Sequence, residues 1–161
     1  MSLILDGGNG ITFPNGSNAQ AAPSKVLQVV NASYSTSTST TSSSFVSTGL
    51  SATITPLFST SKIMIIASTS AQNSSSANGV IFTLFRGTVS GTNLGGGSEG
   101  FGNFGNNSSA IYAPYAINYV DSPATTSATT YTVGFLARSG TTAYAQNGNA
   151  VGSITLLEIA Q

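Results

Sequence analysis

The residues that could carry out acid–base or metal chemistry are few in this chain. Histidine and cysteine are absent, so a Ser-His-Asp triad, a Cys-His nucleophile and a histidine- or cysteine-based metal site are excluded. The side-chain carboxylates are Asp6, Glu99, Asp121 and Glu158. A paired-carboxylate hydrolase needs two of them to meet, and we predict that they lie in an arm, a loop, a turn and a strand end. The sequence therefore predicts a protein that is not an enzyme and that needs no cofactor.

Two of these carboxylates have specific structural predictions. Asp121 precedes Ser122-Pro123 and is expected to cap a turn. Glu158 stands in an apolar run, and a buried carboxylate without a partner is costly. We therefore predict that it lies at a sheet rim or on a trimer axis, paired with one of the cations Lys62, Arg86 and Arg138.

Phosphate recognition is not indicated. The glycine-rich stretches at residues 7–10 and 95–97 lack the Lys-Ser/Thr of a phosphate loop and are not followed by a helix pattern. The chain has only 4 Lys and Arg residues, which are too few and too scattered to neutralise several phosphates. Nucleic acid is therefore not an expected partner.

Carbohydrate recognition has a more suitable set of residues. Sugars are bound by aromatic rings with amides and hydroxyls nearby, and aromatic residues flank the Gly/Asn-rich segment 87–110. The candidate receptor-contact residues are Phe101, Phe104, Tyr112 and Tyr115. The alternative is that these rings only pack in the core or at a subunit interface.

The element that organises the chain is the segment 61–70, SKIMIIASTS. A short apolar run bounded by small polar residues, with β-branched isoleucines, predicts a strand buried on both faces. Segment 79–86 is apolar on both of its faces as well, so it too is predicted to be doubly buried, with a second subunit as one candidate cover.

Further strands are predicted along the whole chain, at residues 25–34, 51–55, 111–120, 129–138, 143–146 and 151–160. The Ser/Thr run 33–44 is predicted as exposed strand plus turn, and Pro114 indicates an edge strand or a bulge. No window has the 3.6-residue period of a helix, so the prediction is an all-β protein. About eight antiparallel strands favour a jelly-roll β-sandwich, with an immunoglobulin-like sandwich and a small barrel as alternatives.

The chain is expected to divide into an extended N-terminal arm (1–24) and a head domain (25–161). The arm contains turn dipeptides and short apolar patches that could dock on a neighbouring protein, the alternative being a frayed terminus. Its candidate attachment residues are Leu3, Ile4, Leu5, Ile11 and Phe13. No signal-peptide pattern and no apolar run of membrane-spanning length is visible, so we expect synthesis in the cytoplasm of the producing cell without a signal peptide and no membrane insertion.

The composition favours assembly with other subunits. Charged residues make up 5% of the chain and the formal net charge is zero, against about 25% charged residues in an average domain. Hydroxyl side chains take their place, with 27 Ser and 21 Thr. Such a surface has little self-repulsion, which is typical of subunits that pack closely in an assembled or extracellular particle.

Several phrases of the sequence resemble a known class of proteins. The opening LILDGGNGITFPNGS (3–17) resembles the start of many bacteriophage tail-fibre and related virion proteins. The phrases FVSTGLSATITP (45–56), SKIMIIAS (61–68), TLFRG (83–87), NYVDSPATTSATTYTVGF (118–135) and SITLLEI (153–159) resemble a head domain common in such proteins. That domain is similar to the C1q/TNF-like jelly roll, which assembles as a homotrimer. Residues 88–110 match no known phrase.

The resemblance implies a trimeric, non-enzymatic protein on the surface of a phage particle, attached through its arm to other virion proteins of the tail, baseplate or capsid. The first hypothesis is a tail-fibre or spike component that contacts the host surface, with a host glycan as candidate ligand. The alternative is a capsid decoration protein, such as a cement or head-fibre protein, that stabilises the phage head. An enzyme acting on host glycans ranks last.

Overall fold

The computed structural model describes residues 4–6, 10–12 and 18–19 by their backbone, and residues 25–74, 79–105, 111–138 and 141–161 with side chains, except at Phe104. Within the arm, β1 (Ile4–Asp6), β2 (Gly10–Thr12) and β3 (Asn18–Ala19) pair antiparallel in that order. Leu3 and Phe13, and the side chains of Ile4, Leu5 and Ile11, lie outside the described residues. Both the attachment role and the division into arm and head therefore stay predictions.

The described residues from 25 to 161 form two antiparallel sheets, and they include a short 3₁₀ turn at Asn147–Asn149. The first half contributes β4 (Val26–Tyr34), β5 (Thr38–Thr40), β6 (Val46–Ile54), β7 (Lys62–Asn73) and β8 (Val80–Arg86). The second half contributes β9 (Thr92–Asn93), β10 (Asn103–Phe104), β11 (Ile111–Asp121), β12 (Thr129–Ala137), β13 (Ala143–Ala145) and β14 (Gly152–Ile159). The all-β prediction is confirmed. In the part of the chain with described structure, no helix is long and apolar enough to cross a membrane.

Each sheet is four strand positions wide. In the first sheet, β14 and β13 lie end to end along one edge of β7, while β11 pairs with the other edge. β4 pairs with β14 and β5 with β13, which completes the order β4/β5–β14/β13–β7–β11. In the second sheet, β9 and β10 share one edge of β8, followed by β12 and β6.

This pairing is that of a jelly roll. If the strand positions are counted in chain order, the first pairs with the eighth (β4 with β14), the second with the seventh (β6 with β12) and the third with the sixth (β7 with β11). The fourth pairs with the fifth (β8 with β9 and β10). One long hairpin folded over itself produces such pairs and distributes them over two sheets. The predicted jelly-roll sandwich is therefore confirmed, in preference to the immunoglobulin-like and barrel alternatives.

The core lies between the two sheets, where alternate residues of each strand are buried. Ile63 and Ile65 of β7 belong to the same buried cluster as Phe82 and Leu84 of β8. β8 is buried on both faces, as predicted, and residues of the same chain, such as Phe45 against Phe85, contact its outer face. β7 is central as predicted, but the prediction that both its faces are buried is wrong for the single chain, because Ile66 on the outer face remains 40% exposed.

Candidate interaction surfaces

Asp121 is the last residue of β11 and is buried, and it forms an ion pair with the partly exposed Arg86. Its carboxylate lies 2.9 Å from Arg86 Nε, and Arg86 Nη2 donates a hydrogen bond of 3.1 Å to Oδ1. The Tyr131 hydroxyl donates a 2.7 Å hydrogen bond to Oδ2. Burial, and then the hydrogen bond to Asp121, raise the pKa of Tyr131 far above its ordinary value. The expectation that Asp121 caps a turn is therefore wrong, since its side chain turns into the sandwich instead.

Glu158 is fully buried near the end of β14, and neutral hydrogen-bond donors, not a cation, stabilise its negative charge. Gln28 Nε2 donates to its Oε2 at 2.6 Å, and the backbone N–H groups of Leu57 and Phe58 donate to Oε1 at 2.8 and 3.3 Å. Burial opposes ionisation, but these donors outweigh it and lower the pKa of Glu158. The predicted pairing with a lysine or arginine is wrong as far as the described residues go, because loop backbone and an amide surround the carboxylate.

The carboxylates do not form a reactive pair in the described structure. Asp121 and Glu158 are both engaged with the groups that hold them, and Glu99 pairs with Arg138 on the surface. Among the residues with described side chains, no cluster of three or more acidic groups could hold a metal ion. What these two buried groups can do chemically is to fix local structure: Asp121 ties β11 to β8, and Glu158 anchors the loop between β6 and β7.

Two of the four candidate receptor-contact aromatics close the open edge of the sandwich. The Phe101 ring packs edge-on against Tyr119, with centroids 5.5 Å apart. The Tyr115 ring stacks on Phe82 at 4.6 Å, and its hydroxyl donates to the Gly102 carbonyl at 3.3 Å. Burial raises the pKa of Tyr115. Both rings thus join the two sheets, which leaves little of their faces for a ligand.

The other two candidate receptor-contact residues, Tyr112 and Phe104, are not shown to form one aromatic surface with Phe101 and Tyr115. Tyr112 points to the outer face of the first sheet and is 68% exposed, because it alternates with the inward-facing Tyr115 along β11. Phe104 pairs with Val80 through its backbone, and its side chain lies outside the described residues. A receptor contact at these four positions stays a prediction, and the described geometry does not assemble them into one site.

An exposed apolar row, not predicted from the sequence, crosses the outer face of the first sheet. Val29, Leu157, Met64 and Val120 are consecutive register partners on β4, β14, β7 and β11. Val29 is 59% and Val120 50% exposed, and the two central side chains are half-buried. With strands about 4.8 Å apart, this apolar row is roughly 14 Å long. The row could have been predicted only from the register between strands, and the periodicity within a single strand gives no information about register.

Mixed residues flank the apolar row. The next register line on one side is Asn31, Thr155, Ile66 and Asn118, in which an exposed isoleucine lies among neutral polar side chains. The line on the other side is Val26, Ile159 and Lys62. An apolar centre with polar groups at its edge is the composition of a protein–protein interface.

Comparison of the chain with protein-family models and with curated proteins gives no match to either. The site is therefore interpreted from its own geometry and from the resemblance of its phrases.

Proposed function

We propose that this protein is a non-enzymatic structural subunit on the surface of a bacteriophage virion, which assembles as a C1q/TNF-like homotrimer through the outer face of its first sheet. The observation that carries the assembly is the apolar row of Val29, Leu157, Met64 and Val120. The location on a virion is supported by the resemblance of the N-terminal and body phrases.

The apolar row has the properties of an interface centre. Association would remove these side chains from water at a gain of roughly 25 cal/mol per Å² of apolar surface. The row alone is smaller than the roughly 800 Å² that each partner contributes to a stable complex, so the flanking Ser, Thr and Asn side chains supply the rim. The net charge of zero keeps the overall electrostatic repulsion between identical subunits small, and the charge beside the row is the exposed Lys62.

In this proposal the arm attaches the trimer to other virion proteins and the jelly roll points outward as part of a tail fibre or spike. Three identical heads on one particle would contact the host with three weak sites at high effective concentration, so that adhesion is strong although each contact is weak.

The experiment that tests the location is cryo-electron microscopy of the particle that carries this protein, with the jelly roll fitted into the density. Three-fold density at a tail tip or baseplate is the expected result. Density spread over the capsid faces would contradict the fibre and support the alternative, a decoration protein that stabilises the head.

A further inference from the structure

The outer face of the second sheet carries a groove that the preceding sections leave without a role. It lies between the serine-rich loop 42–45 and the glycine-rich loop 93–99 and is an open hollow of about 370 Å³. Its floor is formed by Phe45, Phe85 and Leu136. It continues into a second hollow of about 220 Å³, with which it shares Ser43, Ser98 and Leu136, and this hollow reaches the ion pair of Glu99 and Arg138. A volume of this size suits a small ligand.

One wall of the groove is held in place by its own hydrogen bonds. Asn93 Oδ1 accepts from the Thr83 hydroxyl and from the Gly95 N–H, and Asn93 Nδ2 donates to the Gly97 carbonyl at 3.2 Å. The floor is fixed by the edge-to-face contact of Phe45 with Phe85, whose centroids are 5.7 Å apart. A pre-formed site loses less conformational entropy when a ligand binds.

The groove also contains polar groups without a partner in the described structure. The hydroxyls of Ser43, Ser44 and Ser98 line it and make no hydrogen bond to other described residues. Arg138 Nε is buried and has no acceptor among the described residues, although Nη2 of the same side chain pairs with Glu99. Buried donors are nearly always satisfied in proteins, so a small movement of this side chain toward the groove would give Nε a ligand acceptor to bond.

We propose that this groove binds a neutral saccharide, and the inference rests on the host-contact role of the proposed function. A sugar ring has an apolar face that can lie on the Phe45 floor, and hydroxyls that can bond the serines and accept from Arg138 Nε. Charged ligands are disfavoured because Glu99 and Arg138, the only charged residues among the described ones that line the groove, form an ion pair with each other. An apolar peptide is disfavoured because Phe85 and Leu136 expose only 4% and 5% of their surface.

The groove and the apolar row lie on opposite sheets of the sandwich. Assembly through the first sheet therefore leaves the groove open, and a trimer would present three copies of it. A weak single site is then sufficient for adhesion.

The test is two-dimensional NMR of the ¹⁵N-labelled full chain with a panel of neutral sugars: glucose, galactose, N-acetylglucosamine and their β-linked disaccharides, each up to about 20 mM, which covers millimolar affinity. The expected result is that at least one sugar shifts the amide signals of residues 43–45, 93–99 and 136–138.

Ser98→Tyr, which fills the groove from an exposed position, is expected to weaken binding at least about tenfold. Ser127→Tyr, at another exposed serine that does not line the groove, is the matched control and leaves binding unchanged.

A second variant protects the test against a steric artefact. Arg138→Lys retains the charge that faces Glu99 but removes the Nε donor, and is expected to weaken binding several-fold with the fold intact. The proposal is overturned if no sugar shifts these amides, if the shifts map elsewhere, or if the groove responds only to a phenylalanine-containing peptide. The mass of the same samples separates the two proposals: a trimer that binds no sugar overturns the groove alone, and a monomer that binds sugar overturns the assembly alone.

Discussion

Asp121 and Glu158 flank the same residue, Ile63 of β7, one from each neighbouring strand. Asp121 on β11 and Glu158 on β14 are both register partners of Ile63. All three residues are buried at the end of the sandwich where β4 begins. Each carboxylate is held by a different set of donors: Arg86 and Tyr131 for one, Gln28 and loop N–H groups for the other. This end of the jelly roll is thus fastened by two buried polar contacts, and its stability should respond to changes in either.

Removal of the Glu158 carboxylate should destabilise the domain strongly. Glu158→Leu leaves the N–H groups of Leu57 and Phe58 without acceptors, and each buried unsatisfied donor costs about 1–3 kcal/mol, so we expect a loss of about 2–6 kcal/mol in the free energy of unfolding. Glu158→Gln retains an acceptor and should lose about 1 kcal/mol. Urea denaturation measures both. Glu99→Gln, which alters an exposed ion pair, is the control and should change stability by at most about 1 kcal/mol.

The same carboxylate predicts an acid-sensitive fold. The pKa of Glu158 is lowered in the folded protein, so the unfolded chain binds its proton more readily. Its contribution to stability is therefore complete above its ordinary pKa of 4.5 and is lost as the pH falls through the folded-state value. Thermal denaturation between pH 7 and pH 2 should show the stability gap between wild type and Glu158→Leu closing at acid pH. A gap that stays constant over this range would contradict the assignment.

Tyr131 should make the stability of the fold decrease as the pH rises into the alkaline range, whereas Glu158 makes it decrease as the pH falls. Burial and the bond to Asp121 raise the pKa of this hydroxyl above 10.0, so it stabilises the fold below that pH, and the contribution is lost as the pH rises. Tyr131→Phe should lower stability at pH 7 by about 1–2 kcal/mol and weaken the alkaline dependence, with Tyr115 contributing the remainder. Denaturation at pH 7 and at alkaline pH measures both effects. Tyr112→Phe, at an exposed position, should change neither.

Gly49 is a position where a side chain does not fit. Its φ is +85°, and a Cβ there would lie 2.3 Å from Cε1 of Tyr34, whose ring covers it. Gly96 has a comparable φ of +68° with nothing within 4 Å of the Cβ position. Gly96→Ala should therefore lower the free energy of unfolding by about 1–2 kcal/mol, from backbone strain alone. Gly49→Ala should lower it by about 1–3 kcal/mol more, because the added methyl group also collides with Tyr34. Denaturant unfolding compares them, and equal losses would show that Tyr34 moves aside freely.

Most of the strands, and the all-β fold class, could be predicted from the pattern of apolar and polar residues in the sequence. Alternation and short apolar runs located the main strands, and Pro114 correctly indicated an edge, because β11 pairs with β7 alone among the described strands. The doubly apolar pattern of β8 correctly indicated burial on both faces. The same pattern in β7 did not correctly indicate burial on both faces. An apolar residue on an outer face can be covered by a second subunit as well as by a loop of its own chain, and the pattern does not distinguish the two.

The candidate site was harder to predict because it depends on register between distant strands. Nothing local to Asp121 or Glu158 indicates that both meet Ile63, and a shift of one residue would turn either side chain to the other face. The apolar row has the same origin, since Val29 and Val120 are unremarkable within their own strands. The prediction that a cation pairs with Glu158 was wrong because backbone N–H groups, which every sequence contains, stabilise the carboxylate instead.

The central claim is self-assembly through the apolar row, and the most direct test is the mass of the full chain by sedimentation equilibrium. Wild type at about 50 µM should have three times the 16.2 kDa chain mass. Met64→Glu places a charge in the centre of the row, where identical carboxylates in an apolar interface repel each other and lose solvation, and should sediment as a monomer. Ser51→Glu, on the exposed outer face of the second sheet, should remain a trimer. A monomeric wild type, or a Met64→Glu protein that still sediments as a trimer, would contradict the account.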